Sequence, residues 1–401
     1  MIDKNQTSVT LKPRLAILNL AFRPLFLLGV LFSVLAMSFW VYFWLKPFPW
    51  SVYGGPVWWH GHEMLFGFGI AIVSGFLLTA VKTWTGVPGL SGTKLALFVL
   101  VWLTSRILIL TGSHHLSHII ALIDVSFLLL SAIALAYPII KVKQWRNLMF
   151  VPILLMLASL NAYSHWSVLT NHAHLSIQSL HATAMLFVLM IAILGGRVIP
   201  FFTANATTVN KPSPIKSLEI ISLLSIFSMA IIAFLGFDQV NHQVLLSLSA
   251  VAAISNVARW LRWGWQKTFT NPLLWSLHVS FLFIPFGFIL MALYAVNLID
   301  SLSVVIHCFT VGSIGGMILA MISRVTLGHT GRPLKSHILI SSAFSLILIS
   351  AIIRVVIPAW FINYYQTGII VAGILWIVAF AFYLLVYSPM LLNKRADGKE
   401  G

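Results

Sequence analysis

Charge is what this sequence lacks most. Only 8% of its 401 residues are charged and only eight are acidic, whereas roughly a quarter of the residues in an ordinary soluble domain carry charge. That deficit excludes a soluble globule of this length, which could not cover itself with a solvated surface. Cysteine is nearly absent as well. The one present, Cys308, sits inside an apolar run, so neither a disulfide framework nor a cysteine-rich zinc site is expected. The first twenty residues hold no apolar core followed by a small-residue cleavage site, so no cleaved signal peptide is expected either. The net charge of +16 comes from Lys and Arg placed singly or in small groups between apolar runs. A nucleic-acid binder gathers such residues into a contiguous patch, so no nucleic-acid partner is expected.

What is present is apolar sequence, 60% of the chain. A helix crossing a hydrocarbon core of ~30 Å needs about twenty mostly apolar residues, and the chain divides almost entirely into such stretches. The breaks predict twelve helices, near 21–45, 60–81, 94–111, 116–140, 148–169, 176–200, 216–236, 243–264, 273–296, 303–325, 337–357 and 365–390. The expected fold is therefore all-α, a single transmembrane domain over 1–401 with a short segment 1–20 before the helices and a tail 391–401 after them. Basic residues alternate between the connections. One set carries Lys4, Lys12 and Arg14, Lys82 and Lys94, Lys141, Lys143 and Arg146, Lys211 and Lys216, Arg259, Arg262 and Lys267, Arg324, Arg332 and Lys335, and Lys394, Arg395 and Lys399. The other set holds Lys46, Asp238, Asp300 and several His. Because Lys and Arg are enriched in cytoplasmic loops, both termini are expected in the cytoplasm, with the lipid bilayer as the partner of the apolar faces.

Helices two, six and ten look related. Each opens with His, runs through Gly and Met, and closes near a basic residue and Thr: HGHEMLFGFGIAIVSGFLLTAVKTWTG from His60, HATAMLFVLMIAILGGRVIPFFT from His181, and HCFTVGSIGGMILAMISRVTLGHTG from His307. A recurrence every four helices suggests three pseudo-repeats of four helices each. All three would run from outside to inside, which places His60, His62, His181 and His307 at similar depth in the outer half of the membrane. Neutral imidazole suits iron, copper and zinc and is an axial ligand of haem iron, so these four are the candidate metal ligands. A single His at a helix end can equally hydrogen-bond a carbonyl. On a regular helix His60 and His62 point to nearly opposite sides, so both can serve one site only if His60 lies in an irregular turn. Glu63 could orient a ligand imidazole, relay protons, or favour a helix N-terminus.

Other residues admit two readings each. Gly312, Gly316 and Ala320 form a small-residue stripe for helix packing or a flat surface for a macrocycle. Arg106 and Arg354 map to the outer half, where they could bind haem propionates or reach lipid headgroups. Asp124, inside the fourth helix, is a proton-path candidate or a structural hydrogen-bonding group. On the inner side, Arg197, His278, Arg324, His329 and Arg332 form a candidate anion-binding cluster, with turn chemistry in GHTGRP, or an ordinary basic loop.

Four strings carry a family resemblance: AFRPLFLLGVLF (21–32), WHGHEMLFGFGIAIVSGFLLTAVKTWTG (59–86), GGRVIPFFT (195–203) and GGMILAMISRVTLGHTGRPL (315–334). Together they resemble the NnrS family. The resemblance implies a bacterial inner-membrane protein of twelve helices, associated with haem and with copper, that belongs to the response to nitric oxide and protects against nitrosative stress without being a nitric oxide reductase. The three-unit pattern also resembles the catalytic subunit of haem–copper oxidases, whose ligands come from helices two, six and ten. Those enzymes have a His pair on helix ten and another near helix seven. Here helix ten offers only His307 and helix seven none, so a complete oxidase-type binuclear centre is not expected. The expectation is a haem held by His62 or His60 together with His307, leaving His181 for copper or for the distal side, and acting on nitric oxide or an iron–nitrosyl species. A secondary transporter and a quinol-linked redox enzyme with an unknown electron donor are the rival readings.

Overall fold

The computed structural model describes residues 15–111 and 114–399; Lys4, Lys12 and Arg14 lie outside the described residues. All its secondary structure is helical, and twelve helices are long and apolar enough to cross a membrane. They are α1 (Phe22–Leu45), α2 (Pro56–Thr85), α3 (Gly92–Thr111), α4 (Ser117–Lys141), α5 (Trp145–Leu169), α6 (Ala173–Ala206), α7 (Lys216–Leu235), α8 (His242–Leu261), α9 (Pro272–Ala295), α10 (Leu302–His329), α11 (Ile338–Trp360) and α12 (Ile362–Leu392). Each contains the corresponding run read from hydropathy to within a few residues. The largest differences are at α2, which starts four residues before His60, and at α6, which continues through Pro200 to Ala206. Proline removes one backbone donor but does not end a helix whose neighbours hold it.

The helices form a closed circuit. Most sequential neighbours pack against each other, α2 lying more on α4 than on α3, and α12 returns to α1. Inside this circuit α2, α6 and α10 touch one another. The most deeply buried spans are α2 and α10, followed by α6 and α9. Outward-facing residues such as Leu103, Ile107, Leu122, Ile254 and Leu385 are exposed and apolar, as a surface solvated by lipid requires.

Two of the central helices are not regular. α2 is π-helical over Glu63–Gly69 and α10 over Cys308–Gly315, with i→i+5 bonding in place of i→i+4. Such widened turns concentrate at functional sites, and both follow directly on the histidines of their helices. The glycines that admit close approach in α10 serve packing. A Cβ on Gly312 would collide with the Phe283 ring and one on Gly316 with Ser280, both on α9.

Candidate functional site

His60 and His62 part company on one helix. α2 begins at Pro56, where a missing N–H costs nothing, and is regular through His62. His60 is therefore not in an irregular turn, and at about 100° per residue its ring faces away from that of His62. Two separate centres result.

The first is a cavity of about 390 Å³ lined by His60, His181 and His307, from α2, α6 and α10, at the end of the bundle where those helices begin. Trp40 of α1 stacks on His60, with centroids 4.3 Å apart and planes within 6°. His60 and His307 are parallel within 7°, with centroids 6.4 Å apart. His307 Nδ1 donates to the Ser303 carbonyl at 2.7 Å, which leaves Nε2 as the lone-pair nitrogen; Arg354 Nη2 lies 3.4 Å from it and 3.1 Å from Ser303 Oγ. Arg354, on α11, is buried, and its Nη1 has no hydrogen-bond partner. Among the described residues no carboxylate pairs with it; the Tyr365 hydroxyl is a hydrogen-bonding neighbour. Most of the remaining lining is apolar, including Met64, Leu65, Phe68, Leu180, Ile306 and Trp376. A smaller void of about 80 Å³, wholly apolar, lies between the same three helices and shares Ile314 with the cavity.

The second centre is sealed. His62, Glu63, Arg106, Asp124, Asn161 and His165 are all buried, contributed by α2, α3, α4 and α5. Arg106 Nη1 donates to Glu63 Oε1 at 2.7 Å, and its Nη2 donates to Asp124. Gly67 makes room for this pair, since a Cβ there would sit 2.8 Å from Arg106 Nη1. Asn161 Nδ2 donates to Asp124 at 2.7 Å, which turns its Oδ1 toward His62 Nε2 at 2.9 Å. His62 Nδ1 meets Glu63 Oε1 at 2.9 Å. His62 Nδ1 thus faces a carboxylate and Nε2 an amide oxygen. Arg106 bridges the two carboxylates, as burial of acids demands. His165 Nε2 reaches Asp124 at 3.2 Å, and its Nδ1 lies 3.0 Å from the Tyr53 hydroxyl. Tyr53 is in the connection before α2; burial raises its pKa, so the hydroxyl stays protonated and donates.

The expected convergence of four histidines is therefore corrected to three. His62 and Arg106 face the sealed centre, because two helical positions separate His62 from His60 and because Arg106 has two carboxylates to pair with. Glu63 and Asp124 are its counterions. One ligand atom each from His62, Asp124 and His165 lie within 4.8 Å of one another, the spacing of a metal site, and these atoms are hydrogen-bonded among themselves and to Asn161. His165 and Asn161 were missed in the sequence, although their i, i+4 spacing put two polar residues on one face of an intramembrane helix.

The predicted inner cluster is dispersed. His278 Nε2 bonds Thr203 at 2.9 Å, Arg324 lies 4.0 Å over the Phe202 ring, and Arg197 lines a different cavity with Arg259 and Arg262. His329 and Arg332 belong to a clasp on the end of the chain. There Arg395 Nη1 donates to the His329 carbonyl at 2.9 Å, Ala396 N donates to the Thr330 carbonyl at 3.0 Å, and Gly331 takes φ 71° where Asp397 leaves no room for a Cβ. The hydrogen bonds from Arg395 hold the Asp397 carboxyl well below the usual carboxylate range. Arg23 of α1 completes the clasp, with Nη1 donating to the carbonyls of Leu391 at 2.9 Å and Asn393 at 2.6 Å. The AFRP and GHTGRP strings thus secure the end of α12.

These features define a polytopic helical membrane protein with a histidine-lined cavity at one end of its central helices. The NnrS protein family model matches residues 16–395, and the chain belongs to that family. No curated protein sequence matches it.

Proposed function

We propose that this chain is a haem-binding protein of the bacterial inner membrane, with both termini cytoplasmic, that acts in the response to nitric oxide and nitrosative stress. The observation that carries the reading is the meeting of His60, His181 and His307, from three helices, in one mostly apolar cavity beside an uncompensated Arg354. The residues fit the group. About 390 Å³ falls within the ~300–1,000 Å³ usual for cofactor sites. His307 donates its Nδ1 proton to a carbonyl and so presents Nε2, the tautomer that metal-ligating His commonly has. The orphaned Nη1 of Arg354 calls for an acidic partner, which a propionate would supply.

In this reading His60 and His307 would hold the iron, Trp40 would fix the plane of His60, and His181 would be left for copper or to replace one of them. Bound haem would supply redox-active iron, which could take up nitric oxide only where one histidine gives way, and the protein would control ligation and access. The family resemblance supports the association with haem, copper and nitric oxide. The mostly apolar lining suits a small uncharged gas.

An optical spectrum and metal analysis of protein purified from haem- and copper-replete cells test this directly. A haem Soret band that is lost in His60→Ala and His307→Ala is expected. Stoichiometric haem in both variants would sink the ligand assignment, and haem-free, copper-free wild type would favour the transporter reading.

A further inference from the structure

At the opposite end of the bundle, between α5, α6, α7 and α8, lies a cavity of about 540 Å³ whose lining includes Arg146, Arg197, Lys211, Arg259, Arg262 and a single carboxylate, Glu219. That carboxylate is fully engaged. Arg259 is buried and holds it through both oxygens, Nε to Oε1 at 3.0 Å and Nη2 to Oε2 at 2.7 Å. Arg259 also donates to Ser222 Oγ at 3.0 Å and to the Ala192 carbonyl at 2.8 Å, so this pair is a neutral wall. Arg262 ties down the rim, donating to the Ser213 carbonyl at 3.0 Å, and Pro212 and Pro214 on either side of Ser213 restrict that loop.

Four cations remain around the cavity with no carboxylate of its lining to balance them. Arg197 is half-buried, and its Nη2 donates to the Met149 thioether at 3.0 Å, a weak acceptor. Arg146 is within electrostatic reach of it and repels it. The charge asymmetry of membrane proteins accounts for basic residues at this end, but scattered loop charges relax by turning apart into water. Here all four border one concavity: Arg197 is half-buried in its wall, Arg262 is anchored to the proline-bounded loop, and Arg146 and Lys211 stand exposed at the mouth.

We infer that this cavity binds a phosphate group, brought by an anionic phospholipid headgroup or by a soluble phosphate ester. Arginine matches phosphate oxygens through paired donors, and basic pockets between helices at the cytoplasmic border are suited to lipid headgroups. The site is independent of the histidine cavity, so neither proposal depends on the other.

The test uses full-length protein, delipidated in a neutral detergent, with two probes. Sodium pyrophosphate is titrated at constant ionic strength while the melting temperature is followed, and cardiolipin in mixed micelles is titrated under native mass spectrometry. Arg146→Gln/Arg197→Gln is compared with Lys141→Gln/Lys143→Gln, which removes the same charge from a loop outside the cavity. The cavity variant is expected to bind the responding probe at least about tenfold more weakly than the control. A response to pyrophosphate identifies a soluble ester, and retention of cardiolipin alone identifies a lipid. If neither probe binds the wild type, or both variants bind equally, the inference is overturned. Should the double variant not be monodisperse, Arg146→Gln at its exposed position takes its place, with the same comparison.

Discussion

The two histidine centres begin two residues apart on α2 and are built on opposite principles. In the sealed centre Arg106 pairs with both Glu63 and Asp124, and His62, Asn161 and His165 close the network around them, with Glu63 Oε2 and Arg106 Nε the buried atoms left without a partner. In the cavity, Arg354 has a buried donor without a partner and three imidazoles border open space. A polar set whose cation meets carboxylates holds helices together. One whose cation meets none is suited to a ligand that brings an acidic group. The comparison shows why counting histidines at matching depth was insufficient: the residue types are the same on both sides of α2, and what separates them is whether acids stand opposite.

The largest effect that would break this contrast comes from a matched pair of arginine substitutions. Arg106→Met should leave two buried carboxylates without their arginine and destabilise the protein by about 3–5 kcal/mol, seen as loss of monodisperse protein in detergent. Arg354→Met, at a charge that has no counterion, should fold as well as wild type. Equal stability of the two variants would remove the distinction between the centres.

Next in size is the exchange of histidines. His307→Ala should abolish the haem spectrum while leaving the melting temperature of haem-free protein nearly unchanged. His62→Ala should do the reverse, keeping haem per folded chain but lowering the melting point, because removing one member of a buried ionic network leaves the others unpaired. A spectrum lost on changing His62 and kept on changing His307 would transfer the ligand role to the sealed centre.

A smaller change is expected of Arg354→Gln. Losing one charge-assisted contact, worth about 1.5–3 kcal/mol, should weaken haem retention by roughly ten- to a hundredfold without altering the position of the Soret band. Tyr53→Phe should be milder still. It removes one neutral donor to His165 Nδ1, for a loss of about 1 kcal/mol measured by thermal melting, with haem content unaffected.

Much of this architecture was legible in the sequence because spanning a bilayer is a local requirement. Twenty apolar residues announce a helix wherever they pack, and the twelve runs from Phe22 to Leu392 correspond one to one with the twelve helices. Prolines such as Pro200 misled at the ends, since surrounding helices can hold a turn that proline weakens. The cavity was half legible: His60, His181 and His307 stood out by their place at the starts of helices two, six and ten, and Arg354 by lying where the charge rule did not call for it. His165 and Asn161 did not stand out, because a polar residue inside an apolar helix acquires meaning only from what faces it.

By itself, then, the sequence determined the number and extent of the helices, the alternation of basic connections, and the set of polar residues carried into the apolar layer. Hydropathy and charge act residue by residue, so they survive being read along a line. Only the tertiary structure decided that His60 joins His181 and His307 while His62 turns to Glu63, Asp124 and His165. That choice rests on helix rotation and on partners drawn from α3, α4, α5, α6 and α10, up to about 250 residues along the chain, and burial makes it binding because an unpaired charge inside is far more costly than one in water.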